Sequence, residues 1–331
     1  MDLTTRYMGL TLKNPLIASA SPLNAEIGNI RRLEDAGAGA VVLPSLFEEQ
    51  IEAEAARRDT LTSAAIDSSP EALSYFPVGG DEDKVGPHAY LNLVRRASEA
   101  VDIPVIASLN GTTNEGWISY ASRLQEAGVA GLELNIYFIP TDLSLTGAAV
   151  EARYLDIVRS VRAMVSIPIA VKLSPYFSSV GNMALALEQA GANALVLFNR
   201  FYQPDIDLAQ LAVLPDLDLS RPNEIRLPLL WLALLSGRVK ASLAATTGVG
   251  SADEVVKYLL VGADAVMTTS ALLRHGIGHM ATMLGDLRSW LAARQFDSLD
   301  DMRGIMDQQS LRDPQAFERA NYIKILQGYR R

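Results

Sequence analysis

The sequence predicts a (β/α)8 barrel, and three observations predict it. One phrase, small residues with glycine followed by an apolar run, occurs four times: AGAGAVVLP at 36–44, AGVAGLELN at 127–135, AGANALVLF at 190–198 and VGADAVMTT at 261–269. A second phrase alternates with it: NPLIASAS at 14–21, IPVIASLN at 103–110, IPIAVKLS at 167–174 and RVKASLAATT at 238–247. Interleaved, they give eight short apolar strands starting near residues 15, 40, 104, 131, 168, 194, 239 and 265. That is the arithmetic of a barrel of ~250 residues. The rival is a doubly wound open sheet. Eight regular units, with no G-x-G-x-x-G after the first strand, favour the barrel.

Each element follows from its residues. The first phrase is preceded by helix-like stretches at Ala25–Asp35, Trp117–Glu126, Asn182–Gln189 and Ala252–Leu260. Its glycine fits a helix C-terminus, where a positive φ is often needed. The alanine, valine and leucine that follow fit strands buried on both faces of a parallel sheet. In three copies of the second phrase proline stands just before or at the first strand residue, where a missing N–H costs least. Two intervals exceed what a bare barrel needs, residues 46–87 and 201–227, and both follow the C-terminal end of a strand. Loops of that length commonly act as lids or binding loops. Gly276–Ala293 reads as the closing helix. The expected organisation is a barrel over 1–294 and a short helical tail over 295–331.

Composition narrows the function. The 331 residues are 49% hydrophobic and 20% charged, with no cysteine. Without cysteine there is no disulfide, no cysteine-ligated zinc or iron–sulfur cluster, and no thiol nucleophile or base. The 29 basic and 38 acidic residues give a net charge of −9, which argues against a nucleic-acid surface. Mean hydropathy is +0.14, yet the densest apolar run, Leu227–Leu235, is about half of a bilayer crossing. It reads as core or subunit interface. The start, MDLTTRYMGL, lacks the apolar region of a secretory signal. The expectation is a cytoplasmic enzyme with no membrane and no nucleic-acid partner.

Barrel chemistry sits at the C-terminal ends of strands. Strand seven ends in Ala244-Ala245-Thr246-Thr247-Gly248-Val249-Gly250, followed by Ser251 and Glu254 in capping-box spacing. Strand eight ends in Thr268-Thr269-Ser270. Glycine admits an anion close to the backbone, helix N–H groups hold it and hydroxyls add donors, so these two loops form a candidate phosphate site. The alternative is that Gly248 and Gly250 only make a tight turn. Strand five, IAVKL, carries Lys172 among apolar residues, and its charge must be repaid by an anionic ligand or by an ion pair, with Glu133 a candidate partner. Asn110, Asn135 and Asn199 stand near the ends of strands three, four and six, where amides can bind a planar polar ligand.

Other signatures are absent. There is no H-E-x-x-H, G-x-S-x-G, G-x-x-x-x-G-K-[ST] or C-x-x-C. His88, His275 and His279 have no adjacent metal-ligand partner and read as surface or packing residues.

Taken in order, NPLIASAS, LELN, VKLSPYF, LFN and ATTGVGSADEVVKYLLVGADAVMTTSALL resemble the dihydroorotate dehydrogenases, most of all their soluble class 1 branch. The likeness spans about residues 1–300. It implies an FMN-dependent barrel that passes a hydride from dihydroorotate to the flavin in pyrimidine biosynthesis, usually as a dimer. It also implies roles by position. Ala20, Ser21 and Asn110 would lie along the flavin, and Lys172 would approach its N1/O2 edge. Thr247, Gly248, Val249, Thr269 and Ser270 would hold the phosphate. Asn135 and Asn199 would bind the pyrimidine, with Asn135 also near the flavin.

The departures fall on the catalytic parts. Where the family reads N-x-S-C-P-N or N-x-S-S-P-N after strand four, this chain reads Asn135-Ile136-Tyr137-Phe138-Ile139-Pro140. Phe138 stands at the base position and cannot accept a proton, and Pro140 replaces an asparagine. Pro44 replaces a lysine on strand two, and Thr247, Thr269 and Ser270 replace the usual glycine-rich phosphate loops. Ser74-Tyr75-Phe76-Pro77 only echoes the family's substrate loop. Tyr137, Thr141 and Ser144 are substitute bases by proximity in sequence. Two other readings stay open: a divergent flavoprotein subunit dependent on a partner, which would also supply the electron acceptor, and a flavin-free lyase or isomerase holding a phosphorylated substrate.

Overall fold

The computed structural model describes residues 1–51, 87–111, 114–136, 138–200, 204–214 and 218–313, with positions 317 and 327–328 beyond them. Twelve strands fall in the described residues: β1 (Thr5–Tyr7), β2 (Leu10–Leu12), β3 (Leu16–Ala18), β4 (Ala40–Phe47), β5 (Val105–Gly111), β6 (Gly131–Ile136), β7 (Ile169–Leu173), β8 (Ala194–Leu197), β9 (Asp205–Asp207), β10 (Ala212–Leu214), β11 (Ser242–Ala245) and β12 (Ala265–Thr268). Strands β3 to β8 together with β11 and β12 close into a parallel barrel in chain order. The predicted fold is the observed one.

The repeated phrase works as its glycine suggests. Gly37, Gly128, Gly191 and Gly262 all follow helices at φ between +95° and +109°. That conformation turns each chain from an outer helix back into a strand, at no steric cost to a residue without a Cβ. The strand after each turn is buried on both faces, with β6, β8 and β12 buried at every residue. Side chains between strands and helices form the main core, whereas the barrel interior is filled by a second cluster including Ile17, Ala40, Val42, Ile106, Ala170, Ala194, Val196, Ala244, Ala265 and Met267.

Small interior residues leave room for a plug. The antiparallel hairpin β1–β2 supplies it, placing Tyr7, Met8 and Leu12 in the interior cluster. The plug enters from the N-terminal ends of the strands, because Met8 N donates to Ser242 Oγ at the start of β11. A Cβ on Gly131, at the start of β6, would lie 2.6 Å from Met8 Cε. The opposite end remains for ligand.

Three local features depart from the regular pattern. The seventh barrel strand begins at Ser242 and not near 239, because the N–H groups of Lys240 and Ala241 go to the Glu188 carboxylate instead of a strand partner. The closing helix begins at His279, since Gly276, at φ +81°, ends a separate short helix, Ser270–His275. Third, β4 bulges: Leu43 and Pro44 together face the single residue Ala107 of β5. Proline has no ladder N–H to offer, and a bulge absorbs that loss.

The long interval after β8 contains the exposed hairpin β9–β10, then an extended stretch at 218–221 and a 3-10 turn, Pro222–Ile225. The helix Arg226–Leu235 buries Leu232, Ala233 and Leu235. The Ser74–Pro77 stretch lies outside the described residues. From Gln295 to Asp313 the chain runs mainly in turns and bonds back to the barrel's outer helices through Met306 N to Leu260 O and Gln308 N to Ala233 O. No helix among the described residues is long and apolar enough to cross a membrane.

Candidate functional site

A cavity of about 280 Å³ opens at the C-terminal ends of the strands. Ala20, Ser21, Lys172, Asn199, Thr247, Gly248, Val249, Thr269 and Ser270, nine residues separated widely in sequence, all line it. A neighbouring cavity of about 220 Å³ shares Phe198, Asn199, Arg200 and Thr247 with the first.

Sheet register sets a row of polar residues along neighbouring strand ends. Asn110 of β5 pairs with Asn135 of β6, and Asn135 pairs with Lys172 of β7. Asn199 joins the row from the end of β8, its N–H donating to Leu173 O and its Nδ2 donating to Asn135 Oδ1 at 2.7 Å. That bond holds the two amides as a unit. Asn135 and Asn110 stand behind the cavity wall and do not line it. Lys172 is 8% exposed, and its Nζ lies 3.4 Å from Glu133 Oε1. The two expectations for this lysine therefore coexist: it faces the cavity and it is ion-paired.

The opposite end is rich in hydroxyl and backbone donors. Ser251 and Glu254 form the expected capping box, Ser251 N donating to Glu254 Oε2 at 2.9 Å, so this acid is consumed by its own helix. Thr247 adopts φ +76°, a costly conformation for a β-branched residue, and its Oγ1 donates to Phe198 O at 3.0 Å. Gly248 follows at φ +73°, and a Cβ there would lie 2.7 Å from Ile225 Cγ2 and 2.8 Å from Arg221 O. Only glycine permits this close approach. Thr269, the N-cap of the Ser270–His275 helix, makes no side-chain cap bond, and its Oγ1 donates instead to Ser19 O.

Sequence reasoning missed Ser220. Its hydroxyl lies 2.9 Å from Ser270 Oγ and accepts from Gly248 N at 3.2 Å, tying the long loop to both phosphate-loop candidates. Arg274 holds that loop in place by donating to the carbonyls of Leu219 and Ser220. The loop's length was the available signal. Nothing local marked this serine.

The residues present fit a flavin mononucleotide. Ala20, Val249, Met267 and Leu273 give the cavity an apolar lining. Strands β7 and β8 bring a buried cation, Lys172, and the Asn199 amide, suited to a heterocycle that gains negative charge. The loops after β8, β11 and β12 bring the hydroxyls of Ser220 and Ser270 and a glycine whose backbone can approach an anion.

The departures are also placed. Phe138 follows β6, half-buried, with the Arg153 guanidinium 4.2 Å from its ring centroid. It does not line the cavity, and neither does Pro44, which faces a separate cavity beside Tyr90 and Arg96. Thr141 and Ser144 are exposed, and Ser144 is engaged with Asp142. Tyr137 lies outside the described residues. No group of three metal-ligating side chains occurs among the described residues, and His279 instead bonds Gly250 O.

Fold and site together define a (β/α)8-barrel protein with a strand-end cavity lined by a lysine, an amide and several hydroxyls. Over most of its length the chain is similar to dihydroorotate dehydrogenases, as its motifs suggest. It is 24% identical to the catalytic subunit of dihydroorotate dehydrogenase B (NAD(+)) of Thermoplasma volcanium, over 92% of this chain and 98% of that protein. It is 28% identical to a putative dihydroorotate dehydrogenase A (fumarate) of Aeropyrum pernix, over 92% and 97% of the two chains. To dihydroorotate dehydrogenase A (fumarate) of Lacticaseibacillus paracasei it is 28% identical, over 80% and 89%. No family model matches the chain.

Proposed function

We propose that the protein is an FMN-dependent oxidoreductase of the dihydroorotate dehydrogenase type, acting on a CH–CH bond in pyrimidine metabolism. The observation that carries this is the convergence of Lys172, Asn199, Gly248 and Ser270 on one strand-end cavity, in a chain similar to named dihydroorotate dehydrogenases over most of its length.

Bound FMN would supply the hydride acceptor. The chain's own residues bind and orient. Gly248, Val249, Thr269 and Ser270 hold the phosphate, with Thr247 shaping the loop. Lys172 places positive charge beside the heterocycle. Asn199 presents its amide to a pyrimidine, oriented by its bond to Asn135, with Ala20 and Ser21 along the flavin and Asn110 in the next position of the same row. Proton removal is the altered step, because Phe138 has no group that accepts a proton. The protein is expected to be a cytoplasmic homodimer, and its electron acceptor is a separate molecule or subunit.

Phe138 and Pro44 favour a second reading, a flavoprotein subunit that acts on another substrate with a partner. Anaerobic titration of the FMN-loaded protein with dihydroorotate separates the two. Bleaching of the flavin band supports the first reading, and an unchanged band moves the assignment to the second.

A further inference from the structure

Beneath the cavity floor the barrel interior holds a charge arrangement that ligand binding alone does not require. Glu133 is 1% exposed, and while its Oε1 pairs with Lys172, its Oε2 has no hydrogen-bond partner. Tyr7, brought in by the hairpin plug, is 0% exposed, and its hydroxyl is likewise unpartnered. Burial pushes this hydroxyl well above the usual tyrosine range, with the negative charge of Glu133 the next cause and that of Asp264 the third. The carboxylate's field therefore reaches across the interior.

Stability is a poor explanation for such a pair. A buried carboxylate with one oxygen unsatisfied is costly, and apolar side chains of similar volume often hold a core at least as well. The pair does something else well. Lys172 lines the cavity, whereas Glu133 stands behind it. Because Coulomb energy falls with distance, a negative charge 3.4 Å behind the ammonium cancels much of its field at any ligand beyond it.

We infer that Glu133 tunes the redox potential of the bound flavin by setting how much of the Lys172 charge the flavin feels. The inference rests on the FMN reading above. Lys172 alone would favour the electron-rich form of a ligand. With Glu133 behind it, that preference is held down.

The test is the two-electron midpoint potential of FMN bound to the wild type, Glu133→Gln, Lys172→Met and Glu133→Met/Lys172→Met, with FMN binding measured on the same samples. Glu133→Gln should raise the preference for reduced over oxidised FMN about tenfold, which is a rise of about 30 mV for a two-electron couple. Lys172→Met should shift the potential the other way, and adding Glu133→Met to it should change little further, because a buried carboxylate without its cation takes up a proton. If Glu133→Gln fails to fold, Glu133→Asp serves in its place, because the shorter carboxylate stands farther from Lys172 and screens it less. A potential unchanged from the wild type in the folded variant overturns the inference and leaves FMN binding intact. A wild type that binds no FMN overturns both.

Discussion

The Ser220 hydroxyl lies 2.9 Å from the Ser270 hydroxyl, joining the loop after β8 to the end of the last barrel strand. The N–H of Gly248 donates to the same Ser220 oxygen, so three segments meet where an anion would be held. If Ser270 serves a phosphate, Ser270→Ala should weaken FMN binding by about tenfold or more, the effect of losing a hydrogen bond to a charged group. Riboflavin, which has no phosphate, should bind the variant and the wild type alike. Equal losses for the two ligands, read by fluorescence titration, would show that the hydroxyl only shapes the pocket.

Thr247 pairs backbone strain with a hydrogen bond. Its φ of +76° costs about 1–3 kcal/mol, and the bond to Phe198 O returns about 1 kcal/mol. Thr247→Val keeps the strain and loses the bond, so its Tm should fall. Thr247→Gly removes both, and thermal unfolding should place it above the valine variant.

Phe138 stands at the base position that the resemblance implies, yet it does not line the cavity. A base must reach its proton at hydrogen-bond distance, so Phe138→Cys alone should leave anaerobic flavin reduction by dihydroorotate close to the wild-type rate. Stopped-flow absorbance measures this directly. A gain of about a hundredfold, the lower end of what a positioned base contributes, would mean that the missing base alone controls the step.

Alkaline stability should depend on Tyr154. Its hydroxyl donates to Ile136 O at 2.9 Å, and burial pushes its pKa up to about 12. An unfolded tyrosine titrates near about 10. Between those values the unfolded chain has released the proton and the folded chain has kept it, so stability falls as pH rises, by about 1.4 kcal/mol per unit from this group. Tyr154→Phe should be about 1 kcal/mol less stable at neutral pH for want of the bond. Above pH ~10 it should lose stability more gradually than the wild type, as urea titrations across that range would reveal.

What the sequence disclosed followed from how local each signal is. Glycine-terminated helices followed by doubly buried strands are written in consecutive residues, so all eight barrel strands were legible. Lys172 stood out because a charge inside IAVKL has to be compensated. Ser220 and Arg274 did not stand out, since their roles arise from contacts across about fifty residues of chain. The start of β11 was misplaced for a similar reason: the Glu188 carboxylate, far away in sequence, takes the N–H groups that a strand would use.

The most direct test of the account is whether the purified wild type, mixed with FMN and freed of excess, retains it. The expected result is one FMN per chain, a perturbed flavin spectrum and riboflavin affinity at least about tenfold weaker. A protein that retains no flavin, or that binds FMN and riboflavin equally, would contradict it.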